Sequence, residues 1–168
     1  MSVTAKKGDI YISKEFIDAC KNATMKAFSG KIDNSEVEKF LSKMPNEALA
    51  TTAGVPDPAE AKGETYTVAI YGYVKCTPTH LDHYFEANHW GLGLAGVSAY
   101  GFMYTAYDSY EALFSETRGY HAQGVAEGGG FLQITWFNGS GVPIGQFNGA
   151  AGGIGIFEVG GEGRWTKK

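Results

Sequence analysis

The chain divides near Lys62 into two parts whose compositions favour different kinds of structure. Residues 1–62 hold nine basic side chains, nine acidic side chains and three glycines, whereas residues 63–168 hold five basic and nine acidic side chains and the other 21 of the 24 glycines. Dense charge suits small amphipathic helices, while sparse charge with glycine and aromatic residues suits tightly turned strands. The division predicts a helical extension with a linker over residues 1–62 and a β-domain over residues 63–168.

Two amphipathic helices are predicted in the first part. Ser13 can cap the first helix, and Gly30 can end it in a left-handed conformation. Asp33 and Glu36 form a start signal that resembles a capping box, and Pro45 ends the second helix. The apolar side chains of the two helices recur at spacings of three and four residues: Phe16, Ile17, Cys20, Ala23, Ala27, Phe28, Val37, Phe40, Leu41 and Met44. A hairpin of this size cannot bury both apolar faces alone, so we expect it to pack on something.

The segment from Pro45 to Gly63 carries three prolines and many small residues without apolar periodicity. It is predicted to be an extended linker, or a loop that lies over the second part.

From Glu64 onward the apolar period changes from 3.6 to 2, which is typical of strands. Between Thr65 and Val74, alternation places residues 66, 68, 70 and 72 on one face and residues 67, 69, 71 and 73 on the other. One short helix is predicted after Asp108, which we expect to cap it. The eight strand candidates are Thr65–Val74, His83–Asn88, Gly91–Ala95, Val97–Thr105, Gly119–Ala126, Gly130–Phe137, Val142–Asn148 and Gly153–Val159. Eight strands at this spacing predict a closed, eight-stranded antiparallel β-barrel rather than exposed sheets.

Glycines inside strand candidates favour a barrel that is filled with side chains. Glycine weakens a strand unless the strand bends there or an opposing ring needs the space. The residues in question are Gly72, Gly91, Gly93, Gly96, Gly101, Gly145, Gly153 and Gly155. Ten Phe, ten Tyr and three Trp are available to pack rings against them. A barrel filled in this way has no ligand cavity, so it acts through its outer surface.

Composition and charge exclude several classes of protein. The 43% of hydrophobic residues rules out bulk disorder, and the formal net charge of −4 argues against a nucleic-acid binder. No apolar run approaches the roughly 18 residues that a membrane span needs. The first 20 residues contain charges throughout and lack an apolar h-region, so no signal peptide is recognised.

The sequence Gly91–Gly96, GLGLAG, matches G-x-G-x-x-G by letter only. A dinucleotide site requires a helix to open on the motif, whereas VSAYGFMYTA alternates like a strand. Gly128–Gly130 lacks the Lys-Ser/Thr that a phosphate-binding loop needs, so it is predicted to be a turn.

The densest group of ligand-type side chains is His80, Asp82, His83, Glu86 and His89. Strand alternation places His83 and His89 opposite the other three, and this splits a potential metal site. We therefore interpret the segment as a solvated hairpin.

Cys20 and Cys76 are predicted to be buried thiols, although counting alone leaves a disulfide open. Cys76 and His80 could pair as nucleophile and base, but a turn separates them and no helix N-terminus lowers the thiol pKa. Motifs of hydrolases and metalloproteases are absent. We expect no enzyme activity and no catalytic, cofactor-binding or metal-binding residues.

Three stretches of the second part resemble the virulence-associated (Vap) proteins of pathogenic rhodococci. They are GLGLAGVSAYGFMYT at Gly91–Thr105, the following short helix with YEALF, and the glycine-rich stretch Gly128–Trp165 with its closing G-x-G-x-W. The resemblance covers about residues 64–165. It implies an eight-stranded antiparallel barrel with one short helix, a packed interior and no known enzyme site. Family members are secreted and act on the phagosome and lysosome of the host macrophage, at membranes. We recognise no export signal in this sequence, and we expect a helical hairpin within residues 1–62, which the family pattern does not include.

Three functions compete. The leading hypothesis is a non-enzymatic interaction module whose barrel surface contacts a host membrane or a host protein, with acid pH favouring membrane contact through protonation of His80, His83, His89 and His121. The second is a lipocalin-like barrel that binds a small apolar ligand. The third is an intracellular assembly protein that forms oligomers through the helices in residues 13–44. No cofactor and no nucleic-acid partner are expected.

Overall fold

The computed structural model describes residues 3–6, 9–45, 53–125, 130–154 and 156–168. The chain begins with a small antiparallel sheet of β1 (Val3–Lys6) and β2 (Asp9–Ile12), which the sequence did not predict. Two helices follow, α1 (Lys14–Phe28) and α2 (Asn34–Leu41). They correspond to the predicted helical hairpin.

The helix boundaries follow the expected capping chemistry. The Ser13 side chain accepts a hydrogen bond from the Phe16 N–H at 3.2 Å, and Asp33 accepts one from the Ser35 N–H at 2.8 Å. Gly30 has a φ of +73°, the left-handed conformation that ends a helix at low cost. The caps at Ser13 and Asp33 and the stop at Gly30 are confirmed, whereas α2 ends at Leu41, four residues before the Pro45 that was predicted to end it.

The remaining elements form one antiparallel sheet interrupted by a short helix, α3 (Tyr110–Glu116). Its strands are β3 (Ala59–Pro78), β4 (His83–Thr105), β5 (Gly119–Val125), β6 (Phe131–Phe137), β7 (Pro143–Ile154), β8 (Phe157–Glu162) and β9 (Arg164–Lys167). Helix α3 is capped by Ser109, whose side chain accepts from the Ala112 N–H at 3.1 Å, so the prediction that Asp108 caps it is wrong. The two neighbouring residues are equally good capping types, and only the backbone geometry separates them.

The sheet curls into a nearly closed barrel. Its strand order is β3-β4-β7-β6-β5-β8, and β9 then pairs with the first part of β4. Since Gly163 alone separates β8 from β9, one continuous ribbon passes from β5 to β4 and joins the two sides. The predicted mainly-β, eight-stranded antiparallel barrel is confirmed.

Strand β3 doubles back on itself, and β4 follows it. The Thr79 N–H just after β3 donates to the carbonyl of Glu60 near its start at 2.9 Å, and the register of the β3–β4 pair slips between Ala69 and Tyr71. Each of these two long strands therefore contributes two of the barrel strands. Together with β5, β6, β7 and the β8–β9 ribbon, they make eight barrel strands.

Several predicted strand boundaries are wrong. The three predicted strands His83–Asn88, Gly91–Ala95 and Val97–Thr105 belong to one strand, β4. Gly153–Val159 is not a strand, because β7 ends at Ile154 and β8 starts at Phe157. Strand β3 starts at Ala59, inside the segment that was predicted to be linker or loop.

Rings do pack against glycines inside the barrel, but mostly at glycines other than those predicted. A Cβ on Gly124 would lie 2.6 Å from the Phe157 ring, and one on Gly163 would lie 2.6 Å from the Phe85 ring. Of the predicted positions, Gly72 meets the Tyr66 carbonyl and the ring of His89, whereas Gly96 faces open space. Gly91, Gly93, Gly153 and Gly155 lie outside the residues whose side-chain surroundings the structure describes. Gly101 and Gly145 contact no ring, because the Cβ position of Gly101 meets backbone and that of Gly145 meets Leu113 and backbone.

The helical hairpin packs on the outside of the barrel. Its apolar side chains form a second buried cluster with Phe102, Tyr104 and Phe131 from the outer face of β4 and β6. Phe16 meets Phe131 edge-on at 5.9 Å, and Phe40 stacks on Tyr104 at 5.3 Å between ring centroids. The apolar faces of α1 and α2 are thus covered within a single chain. In this packed arrangement they are not exposed for contact with a second copy of the chain.

Side-chain amides complete this contact. They lie in a hydrogen-bonded row across β5, β6 and β7: Gln123, Gln133, Asn148 and Gln146. Gln133 also donates to the Cys20 carbonyl of α1 at 3.0 Å, and Gln146 donates to the Thr24 hydroxyl at 3.0 Å. The polar side chains on this outer face of the sheet therefore form hydrogen bonds with α1 rather than with water.

Candidate functional site

Side chains occupy the interior of the barrel. The largest fully buried ones from the described strands include Trp136, Phe85, Phe147, Met103 and Leu132. Phe85 lies at the centre of a ring cluster, 5.3 Å from Tyr120 and 5.8 Å from both Trp136 and Trp165. Packing of this kind supports the expectation of a filled barrel and argues against a lipocalin-like lumen.

A cleft of about 510 Å³ lies on the outer surface instead, near the β8–β9 junction. Its lining side chains are mixed in charge: Glu86, Arg118, Glu162, Arg164 and Thr166. Arg118 already donates to the carbonyls of Ser115 and Thr117 at 2.6 and 2.9 Å. The cleft is open and holds both charge signs, so no ligand class is favoured there.

The structure separates the ligand-type side chains noted between His80 and His89. His83 Nδ1 lies 2.8 Å from Asp82 Oδ1, whereas His89 is buried further along β4 and Glu86 faces outward. Within the described part of the chain, no three His, Cys, Asp or Glu side chains come together as a metal site would require. The motif at Gly91–Gly96 continues strand β4 and opens no helix.

Cys20 and Cys76 are both buried and are not bridged. Cys20 lies in the cluster between helices and barrel, and Cys76 lies inside the barrel. Burial raises the pKa of both thiols, so both stay protonated and are weak nucleophiles at neutral pH. Cys76 and His80 do not form an activated pair.

The candidate site is an exposed apolar corner where β3 and β4 fold back. We define the apolar tip as Tyr66, Val68, Ile70, Tyr71 and Trp90, each of which is at least 42% exposed. Trp90 is 77% exposed, and its ring meets that of Tyr71 edge-on at 5.7 Å between centroids. Ile156, which is 80% exposed, follows β7, whose Ile154 pairs with Gly96, the partner of Tyr66. The tip and Ile156 thus belong to the same end of the barrel.

A β-bulge creates this surface. The register slip falls between Ala69 and Tyr71, and Ala69 has a φ of +59°. Alternation consequently changes phase, so that Tyr71 faces outward like Tyr66 while Gly72 faces inward. The predicted division of residues 66–73 between two faces is therefore wrong beyond the bulge. The bulge is difficult to predict from the sequence, because alanine seldom adopts positive φ.

The segments of β3 and β4 that form the tip carry no formal charge. Residues 65–74, 87–107 and 128–157 contain no Asp, Glu, Lys or Arg. The opposite end of the barrel, by contrast, carries Asp82, Glu111, Glu116, Arg118 and Lys168 in its turns and around α3. This charge-free pattern is visible in the sequence and could have indicated the site, although it does not say which apolar side chains are exposed.

His89 lies directly beneath the tip. It is 4% exposed, its Nε2 lies 3.2 Å from Thr67 Oγ1, and its Nδ1 has no hydrogen-bond partner among the described residues. Burial lowers the pKa of this imidazole. The neutral form is therefore favoured at the base of the tip.

None of the helices in the described ranges has the length and apolarity needed to cross a bilayer.

The chain is similar to known proteins in both sequence and fold. The family model described as Rhodococcus equi virulence-associated protein matches residues 12–166. The solved structure of virulence-associated protein VapB from Rhodococcus equi has a TM-score of 0.53 and 20% identity, and the match covers 67% of this chain and 98% of that one. VapD from the same organism gives a TM-score of 0.55 and 22% identity, over 66% of this chain and 97% of that one. No curated protein matches the sequence significantly.

Proposed function

The chain belongs to the Rhodococcus equi virulence-associated protein family, and from this premise we propose that it is a non-enzymatic effector module that contacts a host membrane through the apolar tip. The single observation that carries the proposal is the exposure of aromatic and aliphatic side chains on a charge-free end of the barrel. The filled interior supports action from the outer surface.

Exposed apolar groups of this kind are costly in water and favourable at a lipid interface. Trp and Tyr prefer the interface between headgroups and hydrocarbon, and Ile and Val favour the hydrocarbon beneath it. The tip presents both types together, with Trp90 and Tyr71 in contact and Val68 and Ile70 beside them on the fold of β3. A protruding corner with this composition can enter an interface without burying a formal charge.

Charge favours apolar insertion over attraction to acidic lipid. Residues 65–74 and 87–107, which form the tip and its flanks, contain no Lys or Arg, and the chain has a net charge of −4. Basic residues near a surface supply the affinity for anionic lipid, and here none of them accompanies the tip. We therefore expect contact with zwitterionic bilayers, with little gain from added acidic lipid.

Vesicle flotation tests this proposal. The full chain is mixed with phosphatidylcholine vesicles, or with vesicles that also contain phosphatidylserine, at several pH values between about 4.5 and 7. Trp90→Ser removes an exposed aromatic from the tip and should weaken partitioning by about 10- to 100-fold, which corresponds to the roughly 1.5–3 kcal/mol gained by burying a large apolar side chain.

Tyr100→Ser is the matched control. Tyr100 is 56% exposed on the same strand as Trp90, but it lies beside Lys62, whose ammonium is 5.8 Å from its ring centroid, and outside the tip. Its loss should leave partitioning unchanged. No flotation at any pH, or equal effects of the two substitutions, would overturn the proposal and would favour a protein partner instead.

A further inference from the structure

The imidazole of His89 joins the two halves of the folded β3 strand. Its Nε2 contacts the Thr67 hydroxyl on the half before the bulge. A Cβ on Gly72, which lies after the bulge and pairs with His89, would lie 2.7 Å from the ring, so the ring rests directly on that backbone. The corner that carries the tip is thus packed around one buried, titratable ring.

Among the described residues, no carboxylate forms an ion pair or hydrogen bond with this ring. The other ionisable side chains of β3 and β4 are Glu60, Lys62, Glu64, Tyr66, Tyr71, Tyr73, Lys75, Cys76, His83, Tyr84, Glu86, Tyr100 and Tyr104. Glu86 is exposed on the outer face of β4, and Glu158 binds His121 at 2.8 Å. Burial lowers the pKa of His89.

Two other histidines differ in this respect. His83 lies 2.8 Å from Asp82, and His121 lies 2.8 Å from Glu158, so each has a carboxylate partner. Among the described residues, His89 has no such partner.

We propose that His89 is a proton-binding switch, by which acid opens the folded corner of β3 and β4 and strengthens the membrane contact of the tip. This inference rests on the proposed function. Protonation gives the ring a charged N–H at Nδ1, where no acceptor is present among the described residues. Turning the ring out to water relieves this cost, and it breaks the contacts with Thr67 and Gly72 that hold the corner together.

The stability of the closed corner depends on pH because the closed and open forms bind a proton at His89 with different affinities. A histidine whose folded pKa is depressed stabilises the closed corner while it is neutral, which is above its ordinary pKa of about 6.5. That stabilisation is lost as the pH falls through the lowered value. Once the corner opens, the charge-free segments of β3 and β4 can extend from the barrel and place more apolar area in the lipid.

Two measurements on the full chain test the switch. Without lipid, amide hydrogen exchange over residues 65–74, corrected for intrinsic rates, should accelerate about 10-fold between pH 7 and pH 5 while strand β6 stays protected. With phosphatidylcholine vesicles, the partition coefficient should rise by about 10-fold for each unit by which the pKa of the open form exceeds that of the closed form. His89→Gln should abolish both responses, and His121→Gln should retain them.

The outcomes separate this inference from the proposed function. Binding of the wild type and of His89→Gln with the same pH dependence would overturn the switch and leave the membrane function standing. If no variant binds vesicles at either pH value, the proposed membrane function is wrong. The proposed effect of His89 on membrane contact is then wrong as well. If His89→Gln does not fold, NMR titration of the imidazole in the unmodified chain decides, and a pKa at or above about 6.5 would refute the switch.

Discussion

Gly163 offers the sharpest test of how the barrel is filled. It separates β8 from β9, and a Cβ at this position would lie 2.6 Å from Phe85 Cζ and 2.9 Å from Cε2. Ordinary contact begins at 3.4 Å, so the ring would have to move by about 0.8 Å. Phe85 is fully buried between Tyr120, Trp136 and Trp165 and has no free side to move into.

Gly163→Ala should therefore reduce the free energy of unfolding by about 1–3 kcal/mol, the usual cost of overpacking a core. For a chain of this size, each kcal/mol corresponds to about 2–4 °C in melting temperature. Thermal and urea unfolding followed by circular dichroism would measure both quantities.

Gly161→Ala is the matched control. Its Cβ would lie 3.8 Å from the Tyr120 ring, which is an ordinary contact, and the loss of glycine entropy in the unfolded chain should make it neutral or stabilising by up to about 1 kcal/mol. Equal stability of the Gly163 and Gly161 variants would refute the claim that rings fill the space above particular glycines.

Three further predictions concern buried groups. The Tyr120 hydroxyl has no partner among the described residues, so Tyr120→Phe should raise the free energy of unfolding by about 1 kcal/mol in urea titration. Burial raises the pKa of Tyr120 to about 12, so the wild type should lose stability relative to this variant as the pH rises from about 10 through 12. Gln133→Leu leaves the Cys20 carbonyl and the Asn148 amide oxygen without this donor and should cost about 1–3 kcal/mol. Cys20 and Cys76 should resist alkylation in the native state at pH 8 and react together in denaturant; modification of either in the native state would contradict their burial.

Local chemistry was predictable from the sequence where it involves adjacent residues. Ser13 and Asp33 cap their helices, and Gly30 ends the first. Each of these depends on side chains within four positions of the backbone groups that they satisfy.

Features that depend on register were not predictable in the same way. Gly163 meets Phe85 because β9 pairs with β4, and the sequence alone does not state that pairing. Gln133 on β6 is buried beneath α1, where it donates to the Cys20 carbonyl. A helix that lies far away in sequence supplies that cover.

The candidate site was partly predictable. The absence of charge over residues 65–74 and 87–107 could be read directly, and action from the outer surface was expected from a filled barrel. The side chains that form the tip could not be identified, because the bulge at Ala69 reverses the alternation on which the face assignment depended. Without the bulge, Tyr71 would have faced the interior. The division into a helical extension and a barrel domain at residue 62 stays a prediction.

Depth-dependent quenching of tryptophan fluorescence tests most directly whether this barrel acts through its outer apolar tip. Trp90 is exposed, whereas Trp136 and Trp165 are buried inside. With vesicles of brominated phosphatidylcholine, the full chain should lose the part of its emission that Trp90 contributes, and Trp90→Phe, which keeps an apolar ring, should still bind but show no quenching. Quenching that persists in Trp90→Phe, or bound protein whose Trp90 stays unquenched, would contradict the account.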